Sequence, residues 1–199
     1  MKQPNSLLAA RKRLAMITAA ALTLGAATLA PAGAAVRSVV DTFTATTTGM
    51  TPADLVLRIQ VLEWSDDSAR ADVVATLEDA PALGKLPTVG YIWPAGSPVG
   101  YTVKYAHRSK TADGRDRFTF VTDKAVGSYD FKKWTVAGTA AKALPYSVVE
   151  LYVDTAGNGS GNLSLAAEVA IDSATNAITL ATGGSNVLTG VKHEPGQQG

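Results

Sequence analysis

The sequence holds two histidines, His107 and His193, and no cysteine. The absence of cysteine removes thiolate nucleophiles and Cys-based zinc sites. His107 ends a strand pattern rich in aromatics, where it can act as a base or a ligand, or simply pack against Phe118. Packing is the plainer reading. His193 falls in a polar stretch at the C-terminus and reads as solvent-exposed. A serine hydrolase needs a Ser beside the His and an acid to orient it. No G-x-S-x-G elbow is present, and Ser160 in Gly159-Ser160-Gly161 lacks that spacing. Neither H-E-x-x-H nor a His/Asp cluster at metal-ligand spacing occurs. Asp154, Asn158 and Gly159 resemble part of a calcium loop. Ala156 stands where a ligand is needed, however, and Leu165 where the bidentate Glu belongs, so a hairpin turn is expected. The glycines of 157–161 open no helix and imply no phosphate cradle. Glu63, Glu150 and Glu168 lie on strand patterns. Facing carboxylates can work on a sugar, yet such residues more often form a sheet's solvated face. No cofactor is implied.

The aromatics offer the better lead. Trp64, Trp93 and Trp134 each fall at a strand end or in a loop. Brought to one rim, they would line the mouth of an apolar pocket; otherwise they plug the ends of a core. With Tyr101, Tyr105 and His107, which alternate on one strand face, they form the candidate ligand-binding set.

The elements that must position these residues are mostly strands. Leu55, Leu57, Ile59 and Val61 alternate with Val56, Arg58 and Gln60, a strand that runs to Trp64. Ser65 or Asp66 then caps one helix, with Val73, Val74 and Leu77 at helical spacing, ended or restarted at Pro81. A first strand is expected over 39–46 and a short one over 88–93. The Asp113-Gly114 turn predicts a hairpin in which His107 faces Phe118 and Tyr105 faces Phe120. The segment 123–145 has no clean period. Strand 146–154, a flexible turn over 155–161 and strand 162–171 predict a register in which Leu151 faces Leu165, Val153 faces Leu163 and Glu150 faces Ala166. Ile178 and Leu180 then meet Ile171 and Val169, and Val187, Thr189 and Val191 make a last strand. Successive hairpins favour an antiparallel meander. The expected fold is mainly β (α+β): about eight or nine strands curled into a barrel-like body with one helix, with a two-sheet β-sandwich as the alternative.

The ends say where the chain goes. Lys2, Arg11, Lys12 and Arg13 precede an apolar run from Leu14 to Leu29, and Ala30-Pro31-Ala32 and Ala32-Gly33-Ala34 both offer an A-x-A cleavage pattern. This predicts a signal peptide over 1–34, export to the periplasm or medium, and no transmembrane anchor once the leader is cleaved. Cleavage leaves 14 basic against 17 acidic residues, a net charge of −3, which argues against a nucleic-acid partner. Residues 35–192 form a single β-rich domain, and 193–199 read as a disordered tail.

Glu63-Trp64-Ser65, Val89-Gly90-Tyr91-Ile92, Thr122-Asp123, and Glu150 followed by Asp154 and a Gly-x-Gly turn resemble an uncharacterised family of small secreted bacterial proteins. The resemblance covers nearly all of the mature chain and implies export and a common fold, without an activity. Trp93 stands where that pattern often has Arg, and Ser160 where it often has Glu.

Three functions are compatible with these features. The first is an exported non-enzymatic binding or interaction module for an apolar or amphipathic small molecule or an envelope partner. The second is a hydrolase or isomerase using His107 with a nearby carboxylate. The third is an edge-pairing envelope component. The missing catalytic sets favour the first.

Overall fold

A computed structural model describes residues 37–129, 135–136, 144–164, 169–172, 177–180 and 187–196. The leader, Trp134, Leu165, Ala166 and Glu168 lie outside the described residues. The strands are β1 (Asp41–Thr47), β2 (Met50–Thr51), β3 (Val56–Val61), β4 (Gly90–Pro94), β5 (Tyr101–Lys110) and β6 (Asp116–Thr122). They continue with β7 (Thr135–Val136), β8 (Val148–Val153), β9 (Asn158–Leu163), β10 (Val169–Ile171), β11 (Ile178–Leu180) and β12 (Leu188–Pro195). Two helices, α1 (Asp67–Thr76) and α2 (Ala80–Lys85), lie between β3 and β4. Eight strands close a barrel in the order β1-β12-β9-β8-β6-β5-β4-β3. Every neighbouring pair is antiparallel. The body is therefore an up-and-down meander whose last strand returns to its first, so no barrel edge is left unpaired. β2 pairs with β7 and β10 with β11 as two small separate sheets. In the latter, Ile171 faces Ile178 and Val169 faces Leu180, as the alternation predicts.

The interior is solid. Phe43, Leu57, Ile59, Ile92, Phe118, Phe120, Val149 and Leu151 have no exposed surface. Phe43 packs on Phe118 and Phe120 with ring centroids 4.7 and 5.6 Å apart. Truncating a ring in such a core costs about 3–5 kcal/mol.

Two registers differ from expectation. In β5–β6, His107 faces Thr119 and Ala106 faces Phe120, one residue away from the predicted pairing. The loop is the cause. The Thr111 N–H donates to the Arg115 carbonyl and Gly114 takes a positive φ of 84°, which centres the turn between these residues. A bulge between Val103 and Tyr105 then swaps the faces. Tyr101 and Val103 point inward, whereas Tyr105 and His107 point outward. In β8–β9, Val153 faces Gly159, Leu151 faces Gly161 and Glu150 faces Asn162. The expected seven-residue turn is a three-residue one, with Gly157 at φ 82°. Gly159 and Gly161 belong to the strand, because a Cβ on either would overlap the Tyr152 or Glu150 carbonyl.

The helical segment is also split. The Asp66 carboxylate accepts from the Ala69 N–H at 2.8 Å and starts α1. Asp79 caps α2, and Pro81 opens that second helix instead of only ending the first. Val73 of α1 and Leu83 of α2 bury against Tyr105, Val121, Val148 and Ile178. The helices thus cover the outer wall of the barrel. Ser65 fastens them: its N–H donates to the Ala106 carbonyl at 2.7 Å, and its hydroxyl accepts from the Ala106 N–H at 3.0 Å.

Candidate functional site

One end of the barrel is open and polar. The starts of β1 and β6, the ends of β5 and β12, Trp64 after β3 and the β8–β9 turn surround a cleft of about 1020 Å³. Its walls include Asp41, Trp64, Arg108, Asp116, Gly157 and His193. The floor is the top of the core. The His193 ring stacks on Phe43 at 4.4 Å and 8°, and Trp64 lies 5.7 Å from Phe118.

Asp41 ties the two polar rings together. Its Oδ2 accepts from Trp64 Nε1 at 3.0 Å, and its Oδ1 lies 2.7 Å from His193 Nε2. With Nε2 committed to the carboxylate, the other ring nitrogen is the one left for a ligand. His193 is therefore an inward-facing residue of β12, whose side chain is only 14% exposed, and not part of an exposed tail. The sequence missed it because β12 continues through polar Lys192, His193 and Glu194. The available signal was alternation: Val191 and His193 share a face.

The opposite wall is cationic. Arg108 donates from Nε and Nη2 to the two oxygens of Asp116 at 3.2 and 3.0 Å, and Lys110 Nζ reaches Oδ1 at 2.8 Å. Burial opposes ionisation of Asp116, but the hydrogen bonds and charges of Arg108 and Lys110 outweigh it and hold its carboxyl below the usual range. Two cations share this one carboxylate. The Arg108 guanidinium also lies over the Phe118 ring at 5.6 Å.

Of the described residues in the candidate ligand-binding set, Trp64 alone lines this cleft. Trp93 sits outside the barrel toward the other end, against Tyr91 at 5.0 Å and over Gly100. Trp64 and Trp93 therefore share no rim, and Trp134 lies outside the described residues. Tyr101 closes the far end from within: its hydroxyl accepts from the Gly127 N–H at 2.8 Å and its ring stacks on Tyr129. Tyr105 is buried beneath the helices, and burial pushes its hydroxyl up to about 12. His107 stacks on Tyr105 at 5.8 Å. Burial, then the charges of Arg117 and Arg70, lower its pKa.

Thr119 stands between His107 and Glu150 in the strand order, and no hydrogen bond joins His107 to a carboxylate among the described residues. Glu150 is 2% exposed, not part of a solvated face. Asp154 Oδ1 accepts from the Ala156 and Asn158 N–H groups, both at 2.9 Å, and so closes the β8–β9 turn. Among the described residues no group of three or more His, Asp and Glu is placed to hold a metal, and no helix is long and apolar enough to cross a membrane. Comparison of the chain with protein-family models, with curated proteins and with solved structures finds no match.

Proposed function

We propose that the protein is an exported, non-enzymatic binding module whose ligand is an amphipathic small molecule seated in the open end of the barrel. The observation that carries this reading is the cleft of about 1020 Å³ ending on the Trp64–Phe118 and His193–Phe43 ring contacts. Its size suits one small organic molecule. Aromatic faces at the floor take the apolar part. Arg108, which lines the cleft and shares the Asp116 carboxylate with Lys110, leaves a donor for a polar or anionic end. The solid interior argues that the ligand stays at the mouth and does not enter the barrel. Export rests on the sequence of 1–34.

The test is to purify the protein from its native compartment, sequence its N-terminus, extract it with solvent and identify what co-purifies by mass spectrometry. The expected N-terminus follows Ala32 or Ala34. The expected extract holds one amphipathic compound, whose binding weakens about tenfold in Arg108→Gln, the loss of a charge-assisted hydrogen bond. An empty protein that no amphipathic acid stabilises against heat sinks the reading, and a co-purifying envelope protein seated at this end replaces it.

A second reading comes from the 2.7 Å Asp41–His193 contact, which resembles the orienting half of an acid–base pair. It predicts slow ester hydrolysis that is lost in His193→Gln; equal rates in both proteins end it.

A further inference from the structure

The outer wall of β12, β1, β3 and β4 carries groups that the mouth does not use. Phe43 and Ala45 of β1, Leu57 and Ile59 of β3 and Ile92 of β4 are buried in the core, so the residues between them point outward. Lys192 faces Thr44, Thr44 faces Arg58 and Arg58 faces Trp93, which sets the four side chains in one row across the strands. Of the described arginines, Arg58 alone makes no ion pair. Lys192 makes none among the described residues either, and both side chains are exposed. The next row runs Glu194, Thr42, Gln60 and Tyr91. Among the described residues of these four strands, Glu194 is the one carboxylate turned outward, so the wall is cationic along the first row.

Trp93 is seated as a platform at the end of the row. A Cβ on Gly100 would lie 2.4, 2.6 and 3.0 Å from its Nε1, Cε2 and Cδ1, over the face of the pyrrole ring. One indole face therefore rests on the bare backbone just before β5, and the other is turned away from the sheet. Tyr91 extends the aromatic surface, with ring centroids 5.0 Å apart and planes 35° apart. Both rings are only half-buried, and the Trp93 Nε1–H has no acceptor among the described residues.

We propose that this wall docks an acidic polysaccharide with a carboxylate on each sugar, a polyuronate laid across the strands. Charge complementarity selects the acid. The planar Arg58 guanidinium matches a carboxylate with two parallel hydrogen bonds. Lys192 stands two strand spacings from Arg58, about 10 Å, and takes a carboxylate further along the same chain. The aromatic platform selects the sugar: the electron-rich indole face packs against the C–H side of a pyranose ring. The Thr44 hydroxyl between the two cations and the Gln60 amide in the next row donate to and accept from sugar hydroxyls. A neutral glycan leaves both cations without counter-ions. A protein partner anchors in an apolar pocket, whereas this row is open threonine, lysine and arginine. The wall lies outside the barrel and does not depend on the function of the mouth.

Calorimetric titration of the mature protein with oligogalacturonate, neutral dextran oligomers and single-stranded DNA tests it. Binding of oligogalacturonate is expected, weakening as added salt screens the charges. Arg58→Gln should weaken it about tenfold, the loss of a charge-assisted pair. Trp93→Ala should weaken it about three- to tenfold. Gly100→Ala keeps the indole but unseats its ring, and should also weaken binding. Arg108→Gln at the mouth should leave it unchanged. Melting temperatures check that each variant is folded; Arg58 is exposed, so Arg58→Gln decides the outcome even where a change at 93 or 100 unfolds the protein. No heat with oligogalacturonate overturns the proposal. So does equal affinity for dextran, or binding that is indifferent to Arg58→Gln or lost in Arg108→Gln. Tighter binding of DNA assigns the wall to a nucleic acid and overturns it as well. Full affinity in folded Trp93→Ala and Gly100→Ala proteins overturns the platform.

Discussion

Asp41 and His107 show how differently two polar residues of this chain are used. Asp41 holds Trp64 and His193 with its two oxygens, so one carboxylate fixes two rings at the floor of the cleft. His107 sits outside the barrel among Tyr105, Arg117, Arg70 and Asp67, and its pKa is lowered chiefly by burial. The sign of the consequence follows from linkage. In the unfolded chain the ring takes a proton near pH 6.5, and in the fold only at lower pH. Between those values the unfolded state binds the extra proton, so acidification favours unfolding. The stability tied to His107 is complete above pH 6.5 and is lost as pH falls through the folded value. Thermal melts at about pH 7.5 and about pH 5 should show a drop for the wild type and a flatter response for His107→Asn. An equal drop in both assigns the effect to other groups. Asp116 does not confuse this window, because its lowered pKa acts below the ordinary carboxylate value of 3.8.

At the scale of elements, the alternation of β3, β8 and the β10–β11 hairpin was legible because one face of each is strictly apolar. β5 was not. Its bulge between Val103 and Tyr105 reverses inside and outside midway, so a face read as Tyr101, Tyr105 and His107 is divided between the core and the outer wall. The glycines of β9 misled in the opposite way. Their composition is that of a flexible turn, whereas Gly159 and Gly161 are strand positions emptied of side chains by the close approach of β8. Ser65 joins the helices to the barrel with bonds that only the tertiary fold creates. Ser65→Ala strips the buried Ala106 N–H of its acceptor and should cost about 1–3 kcal/mol. Urea unfolding measures this; a change below about 0.5 kcal/mol shows that the serine is replaceable there.

At the scale of the whole molecule, closure depends on β12. It pairs with β1 on one side and β9 on the other, and its His193 completes the mouth. A chain ending before Leu188 leaves both neighbours with open edges and uncovers Phe43 and the inner face. Expressed without residues 188–199, the protein should be aggregated or lack a cooperative melt. A monomeric truncated form with a sharp transition would show that the meander is stable without closing. The same strand explains why the mouth was not foreseen. Its residues come from the two ends of the described domain and from turns between, and no local pattern places Asp41 beside His193.

By itself, the sequence determined that the chain is cysteine-free, mainly antiparallel and built from short hairpins around an apolar face, because period-two alternation and turn residues are local properties. Tertiary structure alone decided which side of the wall each polar residue faces, which histidine meets a carboxylate, and that Glu150 is buried. Those outcomes depend on a bulge, two turn lengths and the closing of the first strand on the last. A one-residue shift in any of them exchanges the inner and outer faces.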